Sequence, residues 1–498
     1  MDIKSLKDKI LQLAIQGKLV PQNEDDEPAS VLLEKIKTEK EQLIKDKVIK
    51  KEKPLPEISD EEKLFELPKG WEWCRFSQVL DVRDGTHDTP KYVEKGIPLI
   101  TSKNINRNQI DFENVKYISL EDHKEISKRS KVDDGDILFA MIGSIGNPVI
   151  VNKKIDFSIK NVALFKYYKN NCVNNKFLYY YLLFSQDNIK KNAKGAVQTF
   201  VSLKMLREYL LPLPPLEEQR RIVAKVDELF ELIDELENNK QDLLENIANT
   251  RNKVLQLAIQ GKLVEQCEDD EPASALLEKI KTEKEKLIKD KAIKKEKTLP
   301  EISEEEKQFE LPKGWEWCRL GEIIALSDNL NIQSKLKSDE MINYLDIDSI
   351  DNIQQKVKGT KLEPVKKLSS RARRVLKKNM IVYSMVRPYL KNMAIITEDK
   401  ENFIGSTGFV AFKSIIVEKE YIFNYLRSEY VTNKLNGYTI GFNSPSINLT
   451  QFTELEIPVP PLEEQKRIVA KMDLIMDYLD KLQQEIESQE IILENIIQ

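Results

Sequence analysis

Two parts of the chain carry side chains suited to contacting nucleic acid. DGTHDTPKY (84–92) is rich in turn formers and offers Thr86, His87, Thr89, Lys91 and Tyr92, and TSKNINR (101–107) adds Lys103, Asn104 and Arg107. Far along the chain, SSRARRVLKK (369–378) offers Ser370, Arg371, Arg373 and Arg374 just before a strand expected to carry Arg387, Tyr389 and Lys391. Arginine forks match guanine edges, Asn and Gln match adenine, and lysines and hydroxyls hold phosphates. Each residue also has a plainer reading as a surface charge or a turn partner, and Arg387-Pro388-Tyr389 fits a structural bend equally well.

Bond-making chemistry has no comparable carriers. The chain contains no GxxxxGK[ST] phosphate loop, no GxGxxG loop and no Asn/Asp-Pro-Pro-Tyr/Phe run. Leu213 and Val459 precede the two Pro-Pro pairs, which open helices instead. The two histidines, His87 and His123, lack neighbours at metal-ligand spacing, so no metal site is expected. The four cysteines form no CxxC pair, which suits a reduced cytoplasm. No apolar run approaches the roughly 20 residues of a membrane helix, and the amphipathic start MDIKSLKDKILQ lacks the core of a secretory signal.

The elements that must hold these residues are duplicated. Residues 253–319 match residues 9–75 at 58 of 67 positions, and 460–498 match 214–252. The order implies a circular arrangement, in which termini that meet would rebuild a split second copy of the centre. Within 215–257, Ile222, Val226, Leu229, Ile233, Leu236, Leu243, Ile247, Val254 and Leu257 alternate steps of four and three, with Lys240 and Thr250 as polar seam positions. The last copy keeps the rhythm through Ile468, Met472, Ile475, Leu479, Leu482, Ile486, Gln489, Leu493 and Ile496. Sustained heptads predict a coiled-coil seam between two paired helices, each a rod of about 60 Å, and the circular order predicts that they run antiparallel.

Charge divides along the same lines. The net charge is −5, yet residues 74–210 hold 22 basic against 15 acidic side chains and 318–456 hold 20 against 16, leaving the repeated scaffold strongly acidic. Basic modules suit a polyanion, and the acidic helices suit protein partners. Inside the modules, IPLIT, GDILFAMIG and VALFKYY, then MINYLDI, MIVYSMV and TGFVAFK, read as short strands, and FLYYYLLFS and YIFNYLRSE read as helices. The tryptophans of the twin GWEWCR segments read as packing anchors.

This layout resembles the specificity subunit of type I restriction–modification enzymes. The likeness rests on LLPLPPLEEQRRIVAK (210–225), EIPVPPLEEQKRIVAK (456–471), the twin LQLAIQGKLV and LPKGWEWCR segments, GDILFAMIG and SSRARRVLKKNMIVYSMVRPYL. It implies an α+β chain with two mixed α/β target recognition domains, separated by two long antiparallel coiled-coil helices in a pseudo-two-fold circular repeat. The divisions expected are 1–70, half of a split helical region; 71–213, the first recognition domain; 214–314, the central helical region; 315–459, the second recognition domain; and 460–498, the last helix. MIGSIG in one module and MVRPYL in the other imply unlike half-sites. The resemblance further implies double-stranded DNA, two methyltransferase subunits and motor–nuclease subunits as partners. The chain itself would be non-catalytic and bind no cofactor, with S-adenosylmethionine held by the methyltransferase subunits. A coiled-coil adaptor with two protein-binding modules is the competing reading.

Overall fold

The computed structural model describes residues 3–49, 51, 54–168, 172–193, 199–439 and 445–497, without the side chains of 489–497. The chain divides into two compact units, 1–239 with 489–498, and 240–488. The helix Leu216–Ile259 is unbroken for 44 residues and contributes to both units. No helix among the described residues is long and apolar enough to cross a membrane.

In the first unit the scaffold starts with helix Ile3–Ile15, which buries Leu6, Ile10, Leu11, Ala14 and Ile15. That spacing places them on one face. The helix ends at Gly17, whose φ is +66° and where a Cβ would lie 2.5 Å from the Pro68 ring, so only glycine fits. The PPLEEQ motif closes the joint. The Glu218 carboxylate accepts from the Trp71 indole at 3.0 Å and from Gln22 Nε2 at 2.7 Å. Gln219 Nε2 donates to the Pro214 carbonyl at 2.9 Å, and Arg221 clamps Asp26 of the EDDEP turn at 2.6 Å. Burial pushes the Glu218 carboxyl above its ordinary range.

The second unit repeats every one of these contacts. Trp315 and Gln266 donate to Glu464, each at 3.0 Å, Gln465 bonds the Pro460 carbonyl at 2.8 Å, and Arg467 clamps Asp270 at 2.6 Å. Lys7–Asp234 in one unit corresponds to Arg251–Asp480 in the other. Along the second unit the partner falls from 480 at residue 251 to 464 at residue 266, so its two scaffold segments run antiparallel, as the circular order of the repeats predicts. The seam itself is sealed unevenly. Ile222, Val226, Ile233, Ile247 and Val254 are buried, but Leu236 and Leu243 are 54% and 48% exposed. The seam side chains at 489, 493 and 496, and the closeness expected of the two termini, lie outside the described residues.

A second repeated joint fixes each module to its scaffold. Strand Glu72–Arg75 pairs antiparallel with Leu210–Leu213, and Glu316–Arg319 with Glu456–Val459. Arg319 is 4% exposed, and its guanidinium spans the carbonyls of Pro300, Glu301 and Glu454 and both oxygens of Glu306. Arg75 does the same with Pro56, Glu57, Glu208 and Glu62. The Arg319 guanidinium holds the Glu306 carboxyl at about 2, far below the usual 4.5. A carboxyl depressed on folding contributes stability that is complete above its unfolded value and is lost as pH falls toward the folded one. With the Glu306 side chain 31% exposed, solvent screening leaves on the order of 1–2 kcal/mol. Thermal unfolding of the second unit should therefore steepen in its pH dependence below about pH 4.5. E306Q, melted across the same range, should flatten that fall; an unchanged slope would remove Glu306 as its cause.

Each module stacks two four-stranded sheets. In the first unit Asp81–Asp84, Val162–Lys166, Ile137–Ala140 and Gly146–Ile150 form one antiparallel sheet, in that order. Ile324–Leu326, Phe409–Ser414, Ile381–Ser384 and Met393–Ile395 repeat it in the second. The other sheets differ. Both contain one parallel pair, Ser158–Lys160 with Ile97–Thr101 and Phe403–Ser406 with Met341–Leu345. The first unit adds strand Tyr92–Val93 at the far edge and lays helix Leu120–Ser130 beside Ser158, where His123 Nδ1 meets Ser158 Oγ at 2.9 Å. The second unit adds strand Ala372–Val375 on Phe403–Ser406 instead.

Candidate nucleic-acid interface

In the first unit the turn Lys160–Asn161, between the two sheets, gathers the sequence candidates. Thr86 N donates to the Ile159 carbonyl at 3.0 Å, Asn161 N to the Thr86 carbonyl at 3.3 Å, and Ser102 Oγ to the Asn161 carbonyl at 3.0 Å. Gly85 passes so close to the Ile159 carbonyl that any Cβ would collide, which explains the glycine in DGTH. His87 is held at both ring nitrogens, Nε2 at 2.9 Å from Asp84 and Nδ1 at 3.1 Å from Asn161. Asp84 is buried and also receives the Arg129 guanidinium. Thr89 Oγ1 accepts from the Lys160 ammonium, and the Lys116 ammonium lies 5.7 Å from the Tyr92 ring centroid. Lys91 and Lys103 are exposed, and Arg107 with Asn108 forms a hairpin tip at φ 48° and 58°. Asn104 has a structural place. It is 5% exposed, its Oδ1 accepts from the Thr101 amide and hydroxyl, and its Nδ2 donates to the Asn114 carbonyl.

In the second unit the turn Thr407–Gly408 plays the same part. Thr407 N donates to the Arg371 carbonyl and the Gly408 carbonyl accepts from Met385 N, both at 2.8 Å, which joins the 369–374 stretch to the 385–391 loop. Arg371–Arg374 do not merely precede a strand, since Ala372–Val375 form one of their own. Its register slips between Ala372 and Arg374. Burial nevertheless alternates along it, with Ala372 and Arg374 inward and Arg373 and Val375 half-buried. Arg374 is 8% exposed, its Nε donates to the Phe409 carbonyl at 3.0 Å, and burial lowers its pKa. Ser370 and Arg371 face solvent, and half-buried Arg373 donates to the Ser370 carbonyl at 2.8 Å. Arg387, Tyr389 and Lys391 lie in the loop after strand Ile381–Ser384, not on it. Arg387 and Lys391 adopt φ of 50° and 49° on either side of the turn Pro388–Leu390. Tyr389 is exposed. The Lys391 ammonium is half-buried against the Arg427 carbonyl at 2.9 Å, and burial lowers its pKa.

Each module thus presents hydroxyls and cations around one inter-sheet turn, with the exposed Tyr92 on the far edge strand of the first and the exposed Tyr389 in the 385–391 loop of the second, an array suited to phosphates and base edges. The sequence reading missed Lys116, Arg129, Lys160 and Asn161. Only Asn161 left a signal, an asparagine between two β-rich runs, and it takes φ +55°. Among the described residues no three His, Cys, Asp or Glu side chains group as a metal site requires.

The family model for the type I restriction modification DNA specificity domain matches residues 68–246 and 312–494, the two modules with their flanking helices. The chain is 32% identical to the EcoAI type I restriction enzyme specificity subunit of Escherichia coli, covering 96% of this chain and 90% of that one. It is 29% identical to the EcoEI specificity subunit of Escherichia coli, covering 98% and 91%. A solved chain from work on complex assembly and conformational transition of the type I R-M system superposes with a TM-score of 0.52 at 20% identity, covering 87% of this chain and 97% of that one.

Proposed function

We propose, because this chain belongs to the type I restriction modification DNA specificity family, that each module reads one half of a split, asymmetric duplex sequence and that the scaffold docks two methyltransferase subunits. The chain is a specificity subunit with two recognition domains, and that reading prevails over the adaptor. The observation that carries the two-half proposal is the contrast between near-identical joints and unlike readers. One unit sets a helix where the other sets a basic strand, so equal partners meet two different DNA surfaces. Adenine methylation, with S-adenosylmethionine, belongs in this reading to the methyltransferase subunits, and cleavage to motor–nuclease subunits, all acting on DNA in the cytoplasm. The test is methylation mapping of DNA from cells that carry this chain with its methyltransferase subunit. A split, asymmetric adenine motif supports the reading, and no motif from well-expressed protein overturns it.

Partner docking has its own support. Leu232 and Leu236 are 46% and 54% exposed, and their repeat equivalents Tyr478 and Leu482 are 71% and 36% exposed. Burying one such side chain contributes about 1.5–3 kcal/mol. L232D and Y478D, outside the heptad seam, should each weaken capture of one methyltransferase subunit by roughly tenfold or more while leaving the melting temperature unchanged. Native mass spectrometry of the complex counts the subunits, and full occupancy in both variants would refute this docking face.

A further inference from the structure

Beside the reading loop of the first unit lies a cleft of about 860 Å³, walled by Val48, Ile49, Lys51, Pro54 and Leu55, strand Asp81–Asp84, the end of helix Leu120–Ser130 and helix Leu203–Glu208. Among the described residues seven Lys and Arg side chains line it against three carboxylates. The cleft and the loop share Asp84, which receives Arg129 from the cleft wall and His87 from the loop. A polyanion lying on the loop would therefore continue into the cleft.

The second unit keeps the scaffold cations Lys40 and Lys51 as Lys284 and Lys295 but has no cation at the positions equivalent to Arg83, Lys204 and Arg207, and the strand registers show it position by position. Val82 and Leu326 pair with Phe165 and Phe412, which in turn pair with Ile137 and Ile381. Arg83 thus corresponds to Ser327. Leu210 and Glu456 face the twin Arg75 and Arg319. Counting back, Lys204 and Arg207 correspond to Thr450 and Thr453. The helix that carries Lys128 and Arg129 is replaced by strand Ala372–Val375. Two lysines of the cleft thus belong to the shared scaffold, and the other five cations to the first module alone.

Resting on the DNA-reading function above, we infer that this cleft binds the phosphodiester backbone of duplex DNA next to the half-site read by the first module, without regard to sequence. Lys128 and Lys204, 72% and 82% exposed, are open to phosphate, as is the exposed Lys51. Among the described residues Lys128 and Lys204 each pair with an acid three or four positions away, Glu125 and Glu208, and such surface pairs contribute little. Arg83 and Arg129 shape the wall, tied to Asp81 and Asp84.

The test uses the full chain assembled with its methyltransferase subunits, titrated with fluorescent duplexes with and without the methylated motif over a range of salt. Each phosphate that the protein no longer neutralises makes the slope of log affinity against log salt shallower by about 0.9. K128Q/K204Q should flatten the slope by about 1.8 on both duplexes while the methylated sequence stays the same. K128R/K204R should restore the slope. An unchanged slope with the motif retained overturns the cleft and leaves the reading function standing. So does weaker subunit assembly at unchanged DNA affinity, which would make the cleft a protein contact. Wild-type complex without salt-dependent affinity would overturn the reading function as well.

Discussion

Replacing Arg319 by Ala should destabilise the second unit by about 3–5 kcal/mol, the range for removing one partner of a buried charge pair. The side chain is 5% exposed and gives hydrogen bonds to three carbonyls besides the Glu306 carboxylate. Alanine leaves those acceptors facing a void that water fills poorly. For a unit of this size the transition should fall by roughly 10 °C. R319K should recover part of the loss, because one ammonium cannot span the acceptors a guanidinium fork reaches. R75A should act on the first unit alone, since Arg75 makes the twin set of bonds. Calorimetry of the two variants should therefore show different parts of the trace moving, and the double variant should show both. If R319A melts like the wild type, the joint does not hold the module.

That joint was legible in the sequence as a repeat, but its mechanics were not. The twin GWEWCR and PPLEEQ segments announced two equal scaffolds, and each motif residue has a partner in both copies: Trp71 and Trp315 on Glu218 and Glu464, Arg221 and Arg467 on Asp26 and Asp270. Spacing carried that information because a helix repeats faces by residue count. It could not carry the inward turn of Arg374, because the basic run does not show that a strand spans Ala372–Val375 with Ala372 and Arg374 on its buried face. Asn104 and Lys391 went unrecognised as structural for a related reason, since their partners Asn114 and Arg427 are joined to them only by the fold. The circular order of the repeats likewise gave the direction of the scaffold segments, but the heptads did not give the exposure of Leu236 and Leu243, because periodicity marks an apolar stripe without saying what covers it.

The same distinction decides the second large effect. R371A/R373A should relax or erase one half of the methylated sequence and leave the other half intact. A good bidentate arginine contact discriminates between bases by about 1–3 kcal/mol, or roughly 10–100-fold per residue. Arg371 faces solvent and can present its guanidinium, and Arg373 is fixed by the Ser370 carbonyl beside it. R374A makes the contrast: Arg374 faces the Phe409 carbonyl inside the module, so its loss should lower the amount of folded protein without changing which bases are methylated. The equivalent change in the first unit, H87A/T89A, should alter the opposite half, because both side chains sit on the Lys160–Asn161 turn. Sequencing that detects methyladenine reads all three outcomes in one format. If R371A/R373A leaves both halves unchanged at normal protein levels, base reading in the second module must be assigned to the loop of Arg387 and Tyr389. If R374A relaxes the motif as R371A/R373A does, then the buried arginine moves outward on DNA, and exposure in the free chain is no guide to the contact.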